Sequence, residues 1–304
     1  MASLAQNHTL RAGLFMVAAL VCFVFNDSCI KIIGSSLLLG EVMTVRGVFS
    51  VVLIAAVCGY HGVLPDAAQV LAPSVLLRSS LDVCSTFLFL TCLLHMPIAN
   101  LTAISQTVPL AVVMLSVVFL KEKVGWRRSM AILLGFAGVL LIVRPSPQNI
   151  TLYEMLALLM VVILAFRDLM TRRIPSHVPT LLIALANSVF VMFGGFALGL
   201  YQGFHMPELW QVGLLLLSAT LLSGGYLLIV IAMRLGELSA TAPFRYFNIL
   251  ITIVIGMGIF SEYPDGLAYV GMVLVIIAGL YAAHRESMVR GTKLIHETYN
   301  EYND

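Results

Sequence analysis

Charge is what this sequence has least of. Asp, Glu, Lys and Arg make up 11% of its 304 residues, against about 25% in soluble domains. Hydrophobic residues reach 60%, and the mean hydropathy is +1.01. A water-soluble core cannot hide that much apolar surface. A nucleic-acid binder, a secreted disulfide-stabilised domain and an ordinary soluble enzyme are therefore excluded. Cysteine spacing is equally unproductive. Cys22, Cys29, Cys58, Cys84 and Cys92 lie in apolar stretches with no C-x-x-C or His/Cys ligand pattern, so they read as buried free thiols without a disulfide framework or a metal site. The chain lacks G-x-x-x-x-G-K-[ST] and H-E-x-x-H, which argues against ATP-driven transport and zinc proteolysis, and no cofactor is expected. No small-x-small cleavage site follows a short apolar core, so the first apolar stretch is expected to be retained as a span.

What the chain does have is long apolar runs. Gly, Pro and charge divide residues 11–284 into ten of them: 11–33, 41–59, 71–94, 98–120, 126–144, 151–170, 178–199, 209–233, 238–260 and 266–284. Each spans about 19–25 residues, enough for a helix to cross about 30 Å of hydrocarbon. The alternation of a transmembrane strand is missing. The expected fold is an all-α integral membrane bundle of ten transmembrane helices. The loops are short and residues 285–304 form a polar tail.

Basic residues orient the bundle. With the N-terminus in the cytoplasm, Arg11, Lys121, Lys123, Arg127, Arg128, Arg172, Arg173, Arg234, Arg285, Arg290 and Lys293 fall inside, and only Lys31 and Arg144 fall outside. Both termini are then cytoplasmic. The two halves, 11–144 and 151–284, also repeat. Asp27 with Lys31 matches Asp168 with Arg172, Glu122 matches Glu262, and Ala137-Gly138 matches Ala278-Gly279, at offsets of 140 or 141 residues. Five spans per half is an odd number, so the halves run in opposite senses. Two inverted five-helix repeats are a pattern of secondary transporters, with the site near the midplane between them.

An ionisable group inside a span costs about 2.5–3.5 kcal/mol on insertion scales and is retained facing the bundle interior. Asp27, Arg46, Arg78, Asp82, Arg167, Asp168 and Arg245 are such groups. Asp27 and Asp168 each have a cation four residues on, at Lys31 and Arg172, on the same helix face. They read either as elements of two gates at opposite depths or as helix-end pairs that snorkel and fix topology. Their opposite depths argue against a shared-proton aspartyl protease dyad. Arg78 and Asp82 are also spaced for an intrahelical pair; the other reading aims Arg78 at an anion with Asp82 orienting it. Arg167 and Asp168 are consecutive and point about 100° apart, which argues against service on one face. Arg46 is a further candidate for gating or coupling.

Arg245 follows Pro243 and precedes Tyr246 and Asn248. A proline frees a carbonyl and breaks a span where it lines a cavity. A guanidinium beside such a break suits a carboxylate or phosphate; the alternative is a salt bridge, with Asp168 as a candidate. Gln106 and Tyr246 occupy repeat-equivalent positions and are, with Tyr226 and Asn248, candidates for solute contact. Asn26, Ser105, Asn187 and Ser223 either line the cavity or bond between helices. His95 reads as structural, and Gly194-Gly195-x-x-x-Gly199 and Gly224-Gly225 as close helix packing.

As a set, these features resemble the drug/metabolite transporter superfamily, EamA type. The resemblance covers residues 11–284. It rests on Phe25-Asn26-Asp27 with Lys31, Arg46, Pro109, Glu122-Lys123-Val124-Gly125-Trp126-Arg127-Arg128, Gly135-Phe136-Ala137-Gly138-Val139, Arg144-Pro145, Arg167 to Arg173, and Ala242-Pro243-Phe244-Arg245-Tyr246. It implies alternating access by a small organic solute to a central cavity. The substrates of such proteins are diverse, including amino acids, vitamins and nucleotide derivatives. The excess of intramembrane Arg favours an anionic or zwitterionic solute, with lipid or lipid-linked-sugar flipping as the alternative. The expected partners are that solute, the lipid bilayer of a cell inner membrane and a coupled proton or counter-solute, with the protein a monomer or homodimer and no nucleic acid bound.

Overall fold

The computed structural model describes residues 2–34, 36–63, 70–120, 126–143, 152–171, 174–175, 178–235 and 242–281. The loop around Glu122, Arg172 and the tail from 282 lie outside these residues. Among the described residues every regular element is helical: α1 (Ala2–Ile33), α2 (Leu39–Tyr60), α3 (Pro73–His95), α4 (Ile98–Ser105), α5 (Val108–Leu120), α6 (Trp126–Val143), α7 (Leu152–Thr171), α8 (Thr180–Gln202), α9 (Leu209–Leu235), a 3₁₀ turn (Ala242–Tyr246) and α10 (Phe247–Phe260), followed by α11 (Gly266–Tyr281).

Among the described residues, six stretches are long and apolar enough to cross a bilayer: Arg11–Ile33, Leu39–Tyr60, Pro73–His95, Ile98–Phe119, Thr180–Gln202 and Leu209–Ile229. Apolar helical stretches in the region of α6, α10 and α11 are shorter, and α7 carries Glu154, Arg167 and Asp168. Large apolar side chains such as Leu14, Leu133, Phe193 and Val254 cover the outside, as a lipid-facing surface requires.

The stretch 98–120, expected as one helix, is broken at Gln106-Thr107 into α4 and α5. Pro109 stands second in α5 and has no N–H to give the carbonyl of Ser105. Pro243 lies in the 3₁₀ turn that precedes α10. The two breaks meet: Gln106 Nε2 donates to the Arg245 carbonyl at 2.6 Å.

α1 packs along α9, α2 along α8 and α3 along α7; α2 also touches α9, α3 touches α8, and α10 bridges α1 and α4. Apolar helices in lipid associate through close approach, so small residues sit at the crossings. A Cβ on Gly195 would stand 2.5 Å from Met43 Cβ and 2.8 Å from Thr44 N, and one on Gly138 would stand 2.7 Å from the Gly271 carbonyl oxygen. Gly194 and Gly225 lie against Val83 and Phe23, whereas Gly224 has open space around it. The five cysteines are free; Cys29, Cys58 and Cys92 are buried, but Cys84 is exposed.

The largest apolar core gathers Ile30, Met43, Leu93, Leu101, Met160 and Ile249 from α1, α2, α3, α4, α7 and α10. It fills the end of the bundle that carries Ile33, Leu39, His95 and Ile98. At the other end the clusters are small, around Met16 and Leu20 and around Val75 and Val178.

Candidate functional site

Between these cores lies a cavity of about 440 Å³ walled by α1, α2, α3, α7, α8 and α9. It reaches from Leu90, near the filled end, to Thr180 in the first turn of α8. Of the intramembrane charges, Asp27, Arg46, Arg78, Asp82 and Arg167 line it, and so do Tyr226, Asn26 and Asn187. Local helix geometry does not explain how they pair.

Arg167 closes on two carboxylates. Its Nη1 donates to Asp82 Oδ1 at 2.5 Å, and its Nε and Nη2 donate to Asp168 Oδ1 at 3.0 and 2.8 Å. As consecutive helical residues they do not share the cavity face, since Arg167 lines it and Asp168 does not, but the long arginine arm spans the angular offset and folds back on its neighbour. The intrahelical Arg78–Asp82 pair is corrected. Asp82 turns to α7, and Arg78 Nε donates to Thr171 Oγ1 at 2.9 Å, leaving Arg78 Nη1 buried with no partner among the described residues.

Asp27 does not pair with Lys31. It accepts from Asn26 Nδ2 at 2.9 Å, and Asn26 in turn accepts from Ser218 Oγ of α9 at 2.6 Å. Arg46 is 6% exposed and attracts Asp27 electrostatically. Its guanidinium forms no hydrogen bond or ion pair with the described residues. Ser50, one turn on from Arg46, lines the cavity with its hydroxyl likewise unpartnered. Phe23 and Tyr226 meet edge to face at 5.4 Å and 67° on the same wall.

Lys31 belongs to the filled end. Its ammonium pairs with Glu262, just beyond α10, donates to the Met96 carbonyl at 2.8 Å and lies 5.4 Å from the Phe260 ring centre. Glu262 Oε2 also accepts from Ile98 N–H at 2.9 Å. Beside this knot, Glu41 is 1% exposed and accepts from the backbone of Leu38 and His205 at 3.0 and 2.5 Å. Gly40 N–H donates to Gln202 at 3.0 Å, and Gln211 to Ser36 at 3.1 Å. Apart from the Lys31–Met96 and Leu38–Glu41 bonds, these contacts tie first-half segments to second-half segments, and together they seal that end.

Gln106, Arg245, Tyr246 and Asn248 are not on the cavity wall. They cluster at the paired helix breaks, where Tyr246 is 7% exposed and Asn248 Oδ1 is buried without a partner. No ion pair joins Arg245 to Asp168 among the described residues. Ser105 bonds back to the Leu101 carbonyl at 2.8 Å, Ser223 is buried unpartnered, and His95 stacks on Tyr153 at 4.1 Å. Sequence reasoning did not single out Ser50, Glu41, Gln202 or Gln211. Nothing local distinguishes them from ordinary polar residues; their burial arises only when the helices meet.

The architecture is that of a polytopic helical membrane protein with a charged, partly enclosed cavity between two halves of the chain. The profile of the EamA-like transporter family matches residues 10–144 and again 151–282, and the chain belongs to that family. Relatives include the S-adenosylmethionine uptake transporter of Rickettsia bellii, 25% identical over 95% of this chain and 98% of its own. The riboflavin transporter of Brucella anthropi is 25% identical over 69% and 76%, and the pseudopaline exporter CntI of Pseudomonas aeruginosa is 24% identical over 88% and 95%. A solved structure at 14% identity superposes with a TM-score of 0.60 over 91% of this chain and 96% of its own, which shows the fold alone.

Proposed function

We propose that the chain is an alternating-access secondary transporter of a small organic metabolite bearing an anionic or zwitterionic group. The observation that carries this reading is the cavity lined by Arg46, which makes no hydrogen bond or ion pair with the described residues, and by Arg78, whose Nη1 is buried without a partner among them. Burying a guanidinium without acceptors is costly, and a transported carboxylate or phosphate supplies them. The chain crosses a bacterial inner membrane ten times as two inverted five-helix repeats with both termini cytoplasmic. The contacts support the repeat: exchanging the halves turns the α1–α9 packing into α7–α3 and the α2–α9 packing into α8–α3. The Gln106–Arg245 junction and the Gly138–Gly271 approach each join equivalent spans. In this orientation the sealed end faces outward and the cavity faces the cytoplasm. The relatives named above act on soluble metabolites, which favours solute transport over lipid flipping.

The test is counterflow in proteoliposomes with radiolabelled S-adenosylmethionine, L-methionine, riboflavin and succinate. Arg46→Ala and Arg78→Ala should each weaken transport of the charged solutes at unchanged thermal stability. Absence of counterflow with every solute, together with scrambling of labelled lipid, would overturn the reading.

A further inference from the structure

We infer that the cavity recognises an α-amino-acid head group, with Arg46 holding its carboxylate and Asp27 its ammonium. The inference deepens the transport reading above and rests on it. Two clusters of charge share the cavity, and they differ in a way that matters. The cluster of Arg167, Asp82 and Asp168 is closed by hydrogen bonds of 2.5–3.0 Å. Its central cation already gives Nε, Nη1 and Nη2 to protein carboxylates.

The cluster of Arg46 and Asp27 is open. The two groups lie on different helices, α2 and α1, line the same cavity and attract each other. Yet no hydrogen bond and no ion pair forms between them among the described residues. Arg46 is 6% exposed, and its guanidinium opens onto the cavity rather than onto a protein acceptor. Asp27 is held in place through Asn26 and Ser218 and does not swing over to close the pair. An anchored carboxylate and an unbonded guanidinium facing one cavity form a receptor for opposite charges carried on one small molecule.

The geometry selects among solutes. The planar fork of a guanidinium matches the two oxygens of a carboxylate, and the unpartnered Ser50 hydroxyl and Arg78 Nη1 stand by as further donors. A zwitterion adds no net charge to a site where Arg46, Arg78 and Arg167 stand against Asp27, Asp82 and, bonded to Arg167 though not on the cavity wall, Asp168. A dicarboxylate would set its second anion against Asp27; a simple amine would set its cation against Arg46 and Arg78. Tyr226 of α9 also stands on this part of the wall, under the electrostatic influence of Asp82 as well as of Arg167, Arg46 and Arg78. The neighbouring 3₁₀ turn carries Arg245 and Tyr246 away from the cavity. The Phe23–Tyr226 ring pair leaves an aromatic wall for the solute's side chain.

The experiment pairs solute analogues with variants. Counterflow of radiolabelled L-methionine and S-adenosylmethionine is competed with L-methionine, its methyl ester (no carboxylate) and N-acetylmethionine (no ammonium). In the wild type the zwitterion should compete about thirtyfold better than either analogue, the scale of removing one partner of a desolvated charge pair. Arg46→Ala should erase the penalty on the ester but keep that on the N-acetyl form. The isosteric Asp27→Asn should do the reverse, and a thermal melt confirms that each variant is folded. A merely structural role for either residue would weaken all three competitors equally, and that result overturns the proposal. So does equal competition by all three in the wild type, or counterflow of riboflavin with none of either amino acid. In that last case transport stands and only the head-group assignment falls; failure of every solute instead removes the transport reading beneath it.

Discussion

The Lys31–Glu262 knot should act as the latch of the sealed end, and Glu262→Gln tests it. The substitution removes one charge while leaving an amide oxygen to accept the Ile98 N–H, so the loop beyond α10 keeps its anchor. What is lost is the charge-assisted contact to an ammonium 12% exposed, opposite a carboxylate 20% exposed. Breaking a fully buried pair costs about 3–5 kcal/mol, and a hydrogen bond to a charged group contributes about 1.5–3 kcal/mol. With part of the pair in reach of solvent, about 2 kcal/mol is the working figure. If the contact exists only while this end is closed, that energy moves the open-to-closed ratio about thirtyfold toward open. Cys92 is a built-in reporter. It is fully buried, one turn from Met96, with its thiol against the Tyr153 carbonyl at 3.3 Å. Labelling of Cys92 by a hydrophilic maleimide, followed by peptide mapping in liposomes, should accelerate on the order of ten- to thirtyfold in Glu262→Gln. Lys31→Met should do the same. An unchanged labelling rate in both variants, with the protein folded, would refute the latch.

Other expectations follow from the same contacts. Arg167→Met leaves Asp82 at 14% exposure without its cation, which should cost about 2–3 kcal/mol and lower the thermal midpoint in detergent by several degrees. Arg167→Lys should fall between, because one ammonium cannot reproduce bonds from Nε, Nη1 and Nη2 at once. Gly195→Val forces α2 and α8 apart and should destabilise by about 1–3 kcal/mol, whereas Gly224→Ala, with no atom within 4 Å of the added Cβ, should leave the melt within about 0.5 kcal/mol. Equal melts for the two glycine variants would show that the α2–α8 crossing is not close-packed.

Much of this protein was readable before folding. Scarce charge and long apolar runs determined that the chain lives in a bilayer, because unpaired charge and exposed backbone are too costly there for the composition to mean anything else. The offset of about 140 residues between Asp27 and Asp168, and between Glu122 and Glu262, pointed to a duplicated half. Pro109 marked the break in its span because its missing N–H is a local covalent fact. Partners were another matter. Spacing of four residues nominated Lys31 for Asp27 and Asp82 for Arg78, but the structure sends Lys31 to Glu262, Asp82 to Arg167 and Arg78 to Thr171. A helix's own sequence determines which side chains share a face; it does not determine which face of another helix arrives opposite. In an apolar interior a charge takes the strongest partner within reach, and reach is decided by how helices far apart in the chain rotate and cross. For the same reason the unbonded state of Arg46, on which the binding proposal turns, is a property of the bundle and of no segment within it.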